Sequence, residues 1–233
     1  MIRLIRRVIR FVRSLGQQIG VQIGVWARRI ATVRGRPIAR SLKLAYSAYL
    51  AALIPAYCRA YGPSNFLWFS DVALLCALGA LWWEHALLAS MPAVGVIPIE
   101  LLWNAEFASR LAGGPRLLGL TDYMFDRDLT LYIRGLSLFH VWLPLLLLWL
   151  VARLGYDRRA WAGWTLLTWC LVPATYAWTD PAKNINWVHG FGTAERQWIP
   201  SRLHASVMMI VLPLVVFRPA HVTLRHLFPE PAV

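Results

Sequence analysis

The chain has 233 residues, of which 58% are hydrophobic and only 15% charged, with 13 tryptophans and a formal net charge of +13. A soluble domain is roughly 45–50% apolar and about 25% charged, so this composition excludes an ordinary soluble domain and points to a membrane protein. Eleven of the 24 basic residues fall within residues 3–43, ahead of the first acid, Asp71. An excess confined to one end suits a tail on anionic headgroups; it argues against a nucleic-acid-binding face.

Residues 1–15 place Arg3, Arg6, Arg7, Arg10 and Arg13 at helical spacing among apolar residues. That pattern predicts an amphipathic helix lying in the membrane interface. Arginine at every third or fourth position breaks the apolar run that a cleavable signal peptide would need. Gly16, Gly20 and Gly24 follow at four-residue intervals. Residues 1–40 are read as one basic amphipathic extension, residues 41–224 as a transmembrane domain, and 225–233 as a short tail.

Six apolar segments are predicted as helices: 41–58, 66–83, 86–103, 131–151, 160–178 and 203–224. The expected fold class is therefore all-α, a polytopic bundle of six transmembrane helices. The third segment holds Pro92 and Pro98, which predict a bend or a re-entrant hairpin. The fourth holds His140 near its middle and Pro144 four residues on, so the His140 carbonyl lacks its usual backbone donor. Counting basic residues in short loops gives sixteen on the amino-terminal side and eight on the other. This predicts a bacterial inner membrane protein with both ends cytoplasmic.

At 1.5 Å per helical residue, Asp71 lies about 7 Å, Glu100 about 5 Å and Arg134 about 5 Å below the outer edge of the bundle, with His140 about 13 Å down. On these depths Asp71, Glu100 and Arg134 are expected to form a buried charge pair joining three helices. No ionisable residue is expected at the depth of His140, which makes that ring the leading functional residue. Ser70 and Ser137 are candidate nucleophiles, with His140 as base and Asp71 as its orienting acid. Glu100, Arg134, Asn184 and Asn186 are candidate substrate-binding residues. Residues 104–130 and 179–202 form the longer outer loops and are expected to lid a cavity.

Cys58, Cys76 and Cys170 are isolated, so no disulfide framework is implied. The chain has no Gly-rich phosphate loop, C-x-x-C or H-E-x-x-H spacing, and no cofactor or metal is expected. A metal set of Asp71, Glu100, His140 and His189 or His204 has no supporting spacing. Membrane lipids are the expected partners.

The strings NFLWFSDVALL (65–75), GLTDYMFD (119–126), RGLSLFHVWLPLLLLWL (134–150) and NINW (184–187) resemble a set of bacterial six-span membrane proteins over residues 41–224. More distantly, an acid early in the second span and a lone histidine in the fourth resemble the androgen-induced-protein family of intramembrane lipid hydrolases and related acyltransferases. That resemblance implies a membrane histidine, here His140, working with a threonine or cysteine nucleophile. Where the threonine would align this chain has Trp68, with Ser70 nearby. The expected function is an outward-facing intramembrane pocket around His140 that acts on a lipid acyl ester as hydrolase or acyltransferase. A small-solute or proton-coupled carrier and a non-catalytic assembly factor are the alternatives.

Overall fold

The computed structural model describes residues 37–192, 199–228 and 230, together with Val21, Gln22 and Val25. The expected basic extension thus lies almost wholly outside the described residues. Among the described residues there is no β-strand, and the helices are α1 (Arg40–Tyr61), α2 (Phe69–Trp83), α3 (Ala86–Leu111), α4 (Leu131–Leu136), α5 (Phe139–Leu154), α6 (Ala160–Trp178), α7 (Ser201–Val211) and α8 (Arg218–Leu227). A π-helical segment, Leu212–Phe217, joins α7 to α8. The predicted segments reappear with small shifts at most ends. The exception is the third, which runs on past Trp103 to Leu111 and stays helical across Pro92 and Pro98, so no hairpin forms.

Three stretches are long and apolar enough to cross a membrane: Ala86–Leu111, Leu131–Leu154 and Ser201–Leu227. Helix α2 is apolar but has only 15 residues, about 22 Å of helix against a hydrocarbon core of roughly 30 Å. Large apolar side chains such as Leu102, Leu145, Leu166, Ile210 and Val215 are exposed along the helices, as lipid-facing residues are. These features mark an all-helical, membrane-embedded protein.

Helix α3 sits at the centre, packed on α2, α5 and α6. Small residues let the backbones approach: Ala73, Ala77 and Ala80 of α2 and Ala89 and Ala93 of α3 are fully buried. Gly95 is the tightest point. A Cβ there would lie 1.6 Å from Nε1 of the fully buried Trp164 of α6. Helix α1 turns Tyr46, Leu50, Leu53 and Tyr57 inward, a spacing of three and four residues that makes one helical face.

Backbone groups freed by helix breaks find side-chain partners, as an apolar surrounding requires. Pro213 removes the donor for the Met209 carbonyl, and Trp169 Nε1 donates to it at 2.8 Å. The expected fourth span breaks at Ser137–Leu138, and Tyr49 donates to the stranded Leu136 carbonyl at 2.6 Å. The turn between α2 and α3 is pinned by Glu84, which adopts the left-handed conformation there. Its Oε1 accepts from Ile38 N–H at 2.9 Å and Lys43 Nζ at 2.7 Å. Partial burial raises the Glu84 pKa, but these two partners outweigh it and leave the group below the ordinary carboxylate range.

Candidate functional site

A cavity of about 670 Å³ opens between α1, α2, α3 and the α4–α5 junction. The two long loops also wall it: the first contributes Leu120 and Tyr123, the second Lys183 and Trp187. The first loop is fastened by Glu106, fully buried on the extended part of α3. Its carboxylate accepts the backbone N–H groups of Leu118, Gly119 and Leu120 at 3.2, 2.8 and 3.1 Å.

His140 and Glu100 both face this cavity, and Nδ1 of His140 lies 2.8 Å from Oε2 of Glu100. The carboxylate is 1% exposed and the imidazole side chain 14%. The ring stacks on Trp103 at a centroid distance of 4.7 Å and an interplanar angle of 20°. Glu100, Trp103 and Asn104 share a helical turn of α3, so one turn supplies the acid, the stacking surface and the amide that steadies His140. Asn104 donates from Nδ2 to the His140 carbonyl at 2.7 Å, filling the place that Pro144 empties, and to the Glu100 carbonyl at the same distance. A carboxylate at this position accepts a hydrogen bond only, which would put the proton on Nδ1 and turn Nε2 away from the acid.

This overturns the expectation that His140 is alone at its depth. The error lay in ending the third helix at Trp103. Measured from Leu111, Glu100 is about 16 Å down the helix and level with a histidine about 13 Å from Leu131. The expected charge pair is also absent: Arg134 donates from Nη1 to the Met124 carbonyl at 3.3 Å and pairs with neither acid. Arg134 does not line the cavity.

Asp71, near the start of α2, is 3% exposed and lines the cavity. Its Oδ2 accepts from Asn65 Nδ2 at 3.2 Å, and it is Glu100 that orients His140. Ser70 and Ser137 also line the cavity. The Ser137 hydroxyl donates to the Ile133 carbonyl at 3.1 Å and accepts from Tyr57 at 2.5 Å, so its proton is already engaged away from the imidazole. The structure therefore does not assemble the expected serine–histidine–Asp71 triad.

Asn184 reaches the cavity, but its amide is engaged: Nδ2 donates to the Gly190 and Gly192 carbonyls and Oδ1 accepts from His189 N–H. Asn186 lies off the cavity and clamps the start of α2, accepting from Phe69 N–H at 2.9 Å and donating to the Leu67 carbonyl at 2.7 Å. Both asparagines shape the loop; neither has an amide free for a ligand. Asn184, Asn186 and Trp187 all have positive φ, an arrangement a bulky Trp187 tolerates only because these bonds fix it. His204 donates from Nε2 to the Trp187 carbonyl at 3.0 Å. His189 packs on Tyr176, and burial holds its pKa below the ordinary value.

The sequence reading missed Asn104, Trp103, Tyr57 and Tyr123. Asn104 follows Glu100 by four residues, so a helix carried past Trp103 would have put both on one face. Tyr123 presents a buried phenol to the cavity, its ring 6.4 Å from that of His140, and burial pushes its pKa well up so that it stays a proton donor. Among the described residues no group of three or more His, Cys, Asp or Glu could hold a metal ion.

Fold and site together define the class: a membrane-embedded helical protein with a cavity between its helices and a histidine–carboxylate pair on the cavity wall. No family model, curated protein or solved structure matches the chain.

Proposed function

We propose that the protein binds an amphiphile in this cavity and that His140, oriented by Glu100, acts as general acid–base on an acyl ester, making the protein a hydrolase or acyltransferase. The observation that carries this reading is the 2.8 Å contact between His140 Nδ1 and Glu100 Oε2 on the cavity wall. An acid–imidazole pair of this kind sets the tautomer and stabilises the imidazolium that forms on proton uptake. Nε2 takes the proton of a water or acceptor hydroxyl as that oxygen attacks the acyl carbonyl, then returns it to the departing alkoxide. Tyr123, held protonated, supplies a donor for the carbonyl oxygen as charge builds on it. Because the Ser137 proton is engaged elsewhere, the nucleophile on this reading is a water or an acceptor hydroxyl rather than Ser137.

On this reading the six predicted segments all cross the bilayer, with both termini on the cytoplasmic side and the cavity opening outward. Turnover of a panel of acyl-ester amphiphiles by the purified chain in lipid nanodiscs tests the reading. His140→Ala should abolish turnover while the protein remains folded and continues to bind the same amphiphiles. Undiminished turnover by that variant would refute it.

A further inference from the structure

The floor of the cavity carries two buried carboxylate oxygens without a partner. Asp71 uses Oδ2 for Asn65, and Glu100 uses Oε2 for His140; Oδ1 of the first and Oε1 of the second make no hydrogen bond. Leaving such an oxygen unmatched away from water costs about 1–3 kcal/mol or more, so both positions call for a donor that the chain does not supply. The two cationic residues in the cavity lining are engaged at its mouth: Arg116 pairs with Asp122 at 2.5 Å, and Lys183 donates to the Tyr61 carbonyl at 2.7 Å. The lining also includes Trp68, an aromatic ring of the kind that attracts a cation. Two buried acceptors on neighbouring acids suit a ligand group that carries positive charge and more than one N–H.

We infer that the cavity floor takes a primary ammonium group, its N–H bonds directed to Asp71 Oδ1 and Glu100 Oε1, with the ligand's hydrocarbon against the aromatic walls. This rests on the reading above that the cavity binds an amphiphile, and it assigns the chemistry of the polar head. A carboxylate or phosphate head is repelled at the same place, and an alcohol offers one donor where two acceptors wait.

The test is quenching of tryptophan fluorescence in the full chain in nanodiscs, titrated with dodecylammonium, dodecanol and dodecanoate. The expected result is saturable binding of dodecylammonium at least about tenfold tighter than that of the other two. Asp71→Asn should remove most of that preference without weakening dodecanol. Butylammonium separates the sources: binding as tight as dodecylammonium supports a free amine as the ligand, and much weaker binding supports a lipid-like amine. Equal affinity for dodecanol, or a preference for dodecylammonium that survives Asp71→Asn, overturns the ammonium assignment and leaves the cavity reading standing. Failure of every amphiphile to bind overturns both. The head-group series on the unmodified chain decides the matter even if the variant does not fold.

Discussion

Asn104 donates to the carbonyl of His140 across 2.7 Å, and this bond is the reason a proline can sit one turn beyond that histidine without leaving the backbone bare. The same amide nitrogen reaches the Glu100 carbonyl, so the carrier of the acid and the carrier of the base are tied at the level of the backbone. Asn104→Leu keeps the volume and removes the donor. It should lower stability by about 1–3 kcal/mol, the cost of an unmatched buried carbonyl, read as a drop in the thermal midpoint in detergent. An unchanged midpoint would show that the helix closes over the proline unaided.

Gly95 and Trp164 make the closest approach between α3 and α6. Gly95→Ala puts a methyl where the indole lies, and the buried ring has no open space to enter. We expect destabilisation of about 1–3 kcal/mol from overpacking. Combining it with Trp164→Ala should cost less than the sum of the two single changes, because each relieves the strain left by the other. Strict additivity would contradict the packing described.

Asp157, in the turn between α5 and α6, gives a pH dependence with a defined sign. Hydrogen bonds from the Arg159 side chain pull its pKa down, burial opposes this, and the Arg159 N–H adds to the lowering. The folded value is therefore below the unfolded one of about 3.9. Its contribution is complete above the unfolded value and is lost as pH falls through the folded value. The thermal midpoint should fall as the pH is lowered from about 5 through the carboxylate range, and Asp157→Asn should flatten that part of the curve. A parallel decline in both proteins would remove Asp157 from the account.

Much of the bundle was legible because apolar run length and proline positions are local properties. The run from Ala160 to Trp178 became a helix with the predicted ends. Glu100 and His140 were singled out, but their partnership was not seen. Placing the membrane edge at Trp103 instead of Leu111 makes Glu100 too shallow by about 12 Å, most of a leaflet's hydrocarbon thickness. An interfacial tryptophan is a statistical marker; Asn104, Glu106 and Arg110 continue the helix beyond it because each has a partner in the fold. The roles of Asn184 and Asn186 were hidden for another reason. The Asn186 bonds run to backbone groups 117 and 119 residues away in sequence, which no local pattern records, and those of Asn184 close a turn whose left-handed residues Asn184, Asn186 and Trp187 are not marked by glycine.

The account turns on which nitrogen of His140 holds the proton, and nitrogen NMR of histidine-labelled protein in nanodiscs measures that directly, with His140→Gln to assign the signal. A proton on Nδ1, hydrogen-bonded and displaced when Glu100 is replaced by alanine, is the predicted result. A bare Nδ1 with the proton on Nε2, unchanged by Glu100→Ala, would contradict it and leave the cavity without its base.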